Sequence, residues 1–128
     1  MELTQSFINT KLKENGGKLL NNRWRKYWTP NTPTTGYCYI ISEAIYHYYA
    51  DINYTPMYIP LPHNKGTHWF LKNKQTGTIL DFTANQFDKP IDYTLGIGCG
   101  FMKGSIRTSK GYISKRGHEI AKLLGLIN

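Results

Sequence analysis

Apolar positions along the chain fall into two periods, and the boundary between them divides it in two. In "ELTQSFINTKLKENGG" the residues Leu3, Phe7, Ile8 and Leu12 share one side of a helix. Lys11 and Lys13 turn to water there, and Gly16-Gly17 ends the segment. A second helical face follows between Tyr37 and Tyr49, where Ile41, Ala44, Ile45 and Tyr48 recur at offsets of three and four. Thr34 or Thr35 is placed to cap it. Between these helices "NNRWRKYWTPNTPTTG" reads as a loop, because Pro30 and Pro33 interrupt any regular helix.

Beyond Ala50 the period shortens. "TPMYIPLPHNKG" is an extended, proline-limited segment, and "THWFLKN" alternates as a strand does. "KQTG" supplies a hairpin turn with Gly77 suited to positive φ, and "TILDFTA" returns as the partner strand. "DYTLGIGCGFM" is broken up by glycine and has no clear period. "SKRGHEIAKLLG" closes the chain as a helix capped by Ser114 and stopped at Gly125. No repeat or low-complexity tract interrupts this order, so residues 1–128 read as one α+β domain.

Composition narrows the function classes. A chain of 128 residues with 40% hydrophobic residues can bury a core without disulfides or metal. Two cysteines make no disulfide framework, and no apolar run has the length of a signal peptide or a membrane span. The expectation is a cytoplasmic protein with no membrane partner. The net charge of +8 is spread over two clusters, Lys11–Trp28 and Lys103–Lys122. Such a surface attracts acidic proteins or nucleic acid.

The chemistry gathers around Cys38, which sits where a Gly-containing loop enters the second helix. Free cysteine often fills a core as a small apolar residue. At a helix N-terminus beside an imidazolium, however, the thiol becomes a thiolate nucleophile. His68 and Asp81 stand on the two arms of the expected hairpin, so one can activate the thiol and the other orient the imidazole. The packing alternative for Asp81 is a strand-end acid that fixes a turn. Asp88 and Asp92 are the other acids in reach, in the loop "FDKPIDY". His47 lies too far along the Cys38 helix, His63 is in a proline-rich loop, and His118 belongs to the basic C-terminal helix. Metal chemistry is disfavoured by ligand spacing, with no paired-Cys motif and no helical i, i+4 His pair.

A helix bearing Cys, then a hairpin bearing His and Asp, resembles the chain order of the papain-like superfamily. Within it, "HWFL" and "GTILDFT" are similar to the transglutaminase and arylamine N-acetyltransferase branch: His, a neighbouring Trp, a turn, then hydrophobics and Asp with Thr soon after. The blocks "GYCY", "SEA", "THWFL" and "TANQF" also resemble small phage and bacterial proteins, over roughly Thr35 to Phe101. The resemblance implies a papain-like or transglutaminase-like α+β fold, with the Cys helix packed on a small antiparallel sheet. It implies a Cys38-His68-Asp81 triad acting without a cofactor on amide, isopeptide or thioester bonds. The sequence departs from the pattern in Phe82, where Pro often stands, and in the missing Gln shortly before the nucleophile.

Trp28, Asn31, Trp69 and Gln86 are the candidates for substrate contact or the oxyanion hole, together with the Cys38 backbone N–H. Phe87 belongs with Gln86 near the cleft, Glu43 reads as structural, and Cys99 as an unreactive thiol. The expected partner is a protein or peptide-like substrate, acidic if charge steers it. The alternative is a small basic module that binds nucleic acid or a host protein and does no chemistry, its aromatics stacking on bases.

Overall fold

A computed structural model describes residues 2–128, apart from the side chain of Asn64. Helix α1 spans Gln5–Asn15; the Thr4 hydroxyl caps it by accepting from Phe7 N–H, and Gly16 closes it at φ 66°. The segment expected as loop carries one extra turn, α2 (Asn22–Arg25), nucleated by Asn21 accepting from Trp24 N–H. That cap lies ahead of both prolines, so neither forbids the turn. Helix α3 spans Cys38–Tyr48 and buries Ile41, Ala44 and Ile45. No side chain caps it. Thr34, expected as a cap, instead donates its hydroxyl to Asn85 Oδ1.

The sheet has four strands in the order β3-β2-β1-β4, all antiparallel: β1 (Tyr54–Pro60), β2 (Thr67–Asn73), β3 (Ile79–Leu80) and β4 (Ile97–Gly98). The β1–β2 register sets Ile59 opposite His68 and Tyr54 opposite Asn73. The turn after β2 is held by Asn73 Oδ1, which accepts from Gln75 and Thr76 N–H, with Gly77 at φ 77°. The returning strand is short, since only Ile79 and Leu80 pair and the chain leaves the sheet at Asp81. That early exit frees Asp81 to turn its carboxylate toward β2.

A second hairpin, β5 (Ile106–Thr108) and β6 (Gly111–Ile113), precedes the last helix, α4 (Lys115–Leu123). Its three-residue strands are too short to register as alternation among the lysines. As expected, Ser114 caps α4, accepting from Gly117 N–H, and Gly125 follows at φ 74°.

Helix α3 packs on β1 and β2 along one side and on α4 along the other. The core lies between them and is closed by α1: Ile8, Leu12, Ile41, Leu71, Ile120 and Leu124 are all excluded from solvent. Glu43 joins α3 to α4 from inside, its carboxylate accepting from Ser114 N–H at 2.9 Å and the Ser114 hydroxyl at 2.6 Å. Lys110 closes the other end of α3, donating to the carbonyls of Tyr46 and Ala50. Helix α3 is therefore fixed along its length and at its C-terminus, while its N-terminus stays open. Among the described residues no helix is long and apolar enough to cross a membrane.

Candidate functional site

Cys38 is the first residue of α3, carried there by the turn Thr34–Tyr37. Gly36 adopts φ 81° in that turn and lies directly against Trp24. A side chain at Gly36 would meet the Trp24 Cβ at 2.9 Å, so this close approach needs glycine twice over. The Cys38 thiol is half-buried and directs its hydrogen to the Thr67 carbonyl at 3.6 Å. Thr67 opens β2, and the next residue is His68.

His68 is 1% exposed and Asp81 2% at their side chains. The imidazole Nε2 and Asp81 Oδ2 are 2.7 Å apart. Tyr93 donates its hydroxyl to the same oxygen at 2.7 Å, and Asp81 Oδ1 accepts from the Thr83 N–H and hydroxyl. The carboxylate is thus held at both oxygens, leaving one orientation in which to meet the imidazole. Phe70 stacks along the imidazole and Phe87 meets it edge-on. The other ring nitrogen, Nδ1, is buried and unpartnered.

Burial alone would lower the proton affinity of His68. Its hydrogen bond to Asp81 opposes this most strongly, followed by the nearby Cys38 sulfur and the charges of both, and together they raise the imidazole from 6.5 to about 9. Since Asp81 occupies Nε2, the thiol's influence enters from the Nδ1 side. In the structure the thiol bonds the Thr67 carbonyl and not the ring. A sulfur that leaves the Thr67 carbonyl as thiolate has a buried ring nitrogen, otherwise without a partner, to pair with.

Over this group lies a cleft of about 530 Å³ whose wall includes Trp24, Tyr39, Trp69, Phe87 and Met102. Trp69 stands in that wall, edge-on to Tyr39, with its indole N–H given to the Thr67 hydroxyl. Gln86 also reaches the cleft, but its amide works within the fold: Oε1 accepts from Gly36 N–H and Nε2 donates to the Thr83 carbonyl. It ties the Cys38 turn to the Asp81 turn. Trp28 and Asn31 do not line the cleft. The Trp28 indole N–H is consumed by the Pro33 carbonyl, and Asn31 faces solvent in the turn outside. Trp24 joins Trp69 in this wall in its place.

The backbone donor fares better. Helix α3 lacks a side-chain cap, and no backbone hydrogen bond among the described residues uses the Cys38 N–H. A helix end of this kind offers donors and partial positive charge beside the sulfur.

The remaining candidates lie elsewhere. His47 Nδ1 meets the Thr108 hydroxyl, His118 Nδ1 the Tyr48 hydroxyl, and His63 is exposed. Asp88 and Asp92 are exposed, the latter turning on its own Thr94. Cys99 is exposed on the far side of β1, its backbone N–H bonded to the Pro56 carbonyl. Among the described residues no three His, Cys, Asp or Glu side chains gather as a metal site would require.

The fold and site together define a small α+β protein in which a helix-terminal cysteine faces a buried His–Asp pair. No protein-family model, curated protein or solved structure matches the chain.

Proposed function

We propose that the protein is a thiol-dependent hydrolase or acyltransferase, of papain-like or transglutaminase-like architecture, acting on amide, isopeptide or thioester carbonyls. The observation that carries this reading is His68 itself. It is a buried imidazole with one nitrogen fixed by a fully hydrogen-bonded carboxylate and the other vacant on the side of a half-exposed thiol. A histidine kept only for packing would satisfy both nitrogens.

In the reaction the thiolate form of Cys38, stabilised by the protonated His68, adds its sulfur to the substrate carbonyl carbon, pushing the π electrons onto oxygen. The Cys38 backbone N–H, at the open end of α3, meets that oxyanion. The tetrahedral adduct collapses, the C–N bond breaks, and His68 gives its proton to the departing amine. A thioester on Cys38 remains. Water or a second amine then adds to it, giving its proton to His68; the C–S bond breaks, releasing the acid or new amide and returning the Cys38 thiolate beside the protonated imidazole. Asp81 keeps the ring aligned throughout and stabilises its positive form.

The test uses p-nitrophenyl acetate and a short peptide thioester as generic acyl donors, followed by intact-mass analysis. One acyl group should appear on Cys38, and none on a Cys38→Ala variant. His68→Ala should slow its formation by at least about a hundredfold, the usual range for general acid–base catalysis. Acylation of Cys99 alone, or acylation of Cys38 that ignores His68, would reject the reading. Adding an amine during turnover then divides transfer from hydrolysis.

A further inference from the structure

The cleft over Cys38 does not end at the triad. It shares Trp24, Gly36, Tyr39 and Met102 with a second hollow of about 630 Å³, which runs on past Leu20 to the first turn of α4. Each hollow alone has the size of a small-molecule site, and the two are joined. The floor is apolar and aromatic, and the rim is basic: Arg23 and Lys65 border the first hollow, Lys115 and Arg116 the second. Among the described residues no Asp or Glu lines either one. All four cations are exposed, and among the described residues none has an ion-pair partner.

Lys115 and Arg116 also sit where the fold itself disfavours them. Cations in the first turn of a helix oppose its dipole. Glu43, an acid at that helix end, is buried beneath it and spends both oxygens on Ser114. The two cations therefore lie exposed at the groove with no ion-pair partner among the described residues.

We propose that this joined groove binds an extended acidic segment of polypeptide. Aromatic walls grip its backbone and apolar side chains, and Lys115 and Arg116 receive a Glu or Asp side chain at a distance from the reacting bond. The inference rests on the thiol-acyl reading of Cys38, which requires the occupant to bring a carbonyl to the sulfur. A nucleic acid would fit the charge but offers no acyl group there.

Two matched pairs of alkylating peptides test it, one pair for each chain direction. Bromoacetyl-Glu-Ala-Glu-amide is compared with its Gln-Ala-Gln counterpart, and acetyl-Glu-Ala-Glu-Ala-chloromethyl ketone with its Gln counterpart. In each, the Cys38 sulfur forms a C–S bond and halide leaves. In at least one direction the Glu peptide should label Cys38 about three- to tenfold faster at low salt, the range two solvent-exposed charge pairs give. That preference should fade at about 0.5 M salt. It should vanish in Lys115→Gln/Arg116→Gln and survive Lys13→Gln, which lies outside the groove.

Fast labelling of Cys38 with no charge preference in either direction overturns the acidic-peptide inference and leaves the thiol reading standing. Labelling of Cys38 no faster than Cys99 by all four peptides overturns both. Protection of Cys38 by oligo(dT), at concentrations where the Glu and Gln peptides react alike, makes the groove a nucleic-acid cleft and also overturns the inference.

Discussion

Replacing Asp81 by Asn removes the charge that, with the Cys38 thiol, keeps His68 protonated inside the fold. In the native protein the imidazole is raised from 6.5 to about 9. Between those values the folded state binds a proton that the unfolded chain has released. Stability from this group is therefore complete below about pH 6.5 and lost as pH rises through about 9. At 1.36 kcal/mol per pH unit, the full contribution is about 3 kcal/mol. Asp81→Asn leaves burial as the dominant influence, which favours the neutral ring. The variant should lose roughly 3–5 kcal/mol at about pH 6, the cost of breaking a buried pair. At about pH 9 the gap should have narrowed by about 3 kcal/mol, because the native protein has by then surrendered the same proton. Urea unfolding followed by tryptophan fluorescence, at several pH values and with constant m, measures this directly. Cys38→Ser, run in parallel, isolates the thiol's smaller share. A difference between wild type and Asp81→Asn that stays flat from about pH 6 to 9 would refute the reasoning, because no proton would then be linked to the pair.

Three further outcomes follow from the same contacts. Tyr93→Phe deletes a hydrogen bond to Asp81 Oδ2 and should cost about 1.5–3 kcal/mol in denaturant unfolding, the range for a bond to a charged group, with the His–Asp contact retained. Glu43→Ala leaves the Ser114 N–H and hydroxyl unsatisfied beneath α4 and should cost about 2–4 kcal/mol. Burial raises the Glu43 carboxyl, so wild-type stability declines as pH rises from its ordinary value through the raised one; calorimetry across that window should show the slope missing in the variant. Gly36→Ala places a Cβ against Trp24 on a left-handed backbone, so Tm should fall and the rate of Cys38 labelling should drop at least severalfold, read together on one sample.

Much of the scaffold was legible because strong local signals carried it. The face Ile41-Ala44-Ile45, the Ser114 cap with its Gly125 stop, and the alternation of "THWFLKN" each specify an element without help from the rest of the chain. The pairing of His68 with Asp81 was legible too, since a hairpin with a tight turn at Gly77 brings its two arms together. Other features depend on tertiary contact and leave little local trace. Tyr93 reaches Asp81 from a single helical turn twelve residues on, in a stretch with no period to read. Trp24 joins the cleft only because α2 forms and Gly36 lets it approach, contacts that leave no trace in a stretch that reads as a proline-broken loop, while Trp28, the expected contact, is turned to the Pro33 carbonyl. Gln86 was legible as near the cleft, but its use as a strut between two turns depends on Gly36 and Thr83, residues distant from or unremarkable beside it. The β5–β6 hairpin was hidden by brevity among lysines and polar residues.

The central claim is that His68 activates Cys38. Its most direct test is the rate of iodoacetamide labelling of both cysteines by mass spectrometry, from about pH 5 to pH 9, in wild type and His68→Ala. If the charge on His68 favours the Cys38 thiolate, Cys38 should label at about pH 6 at least roughly tenfold faster than the exposed Cys99, and His68→Ala should abolish the difference. Equal labelling of the two cysteines in wild type, both rising only toward the range of an ordinary thiol at about 8.5, would contradict the account.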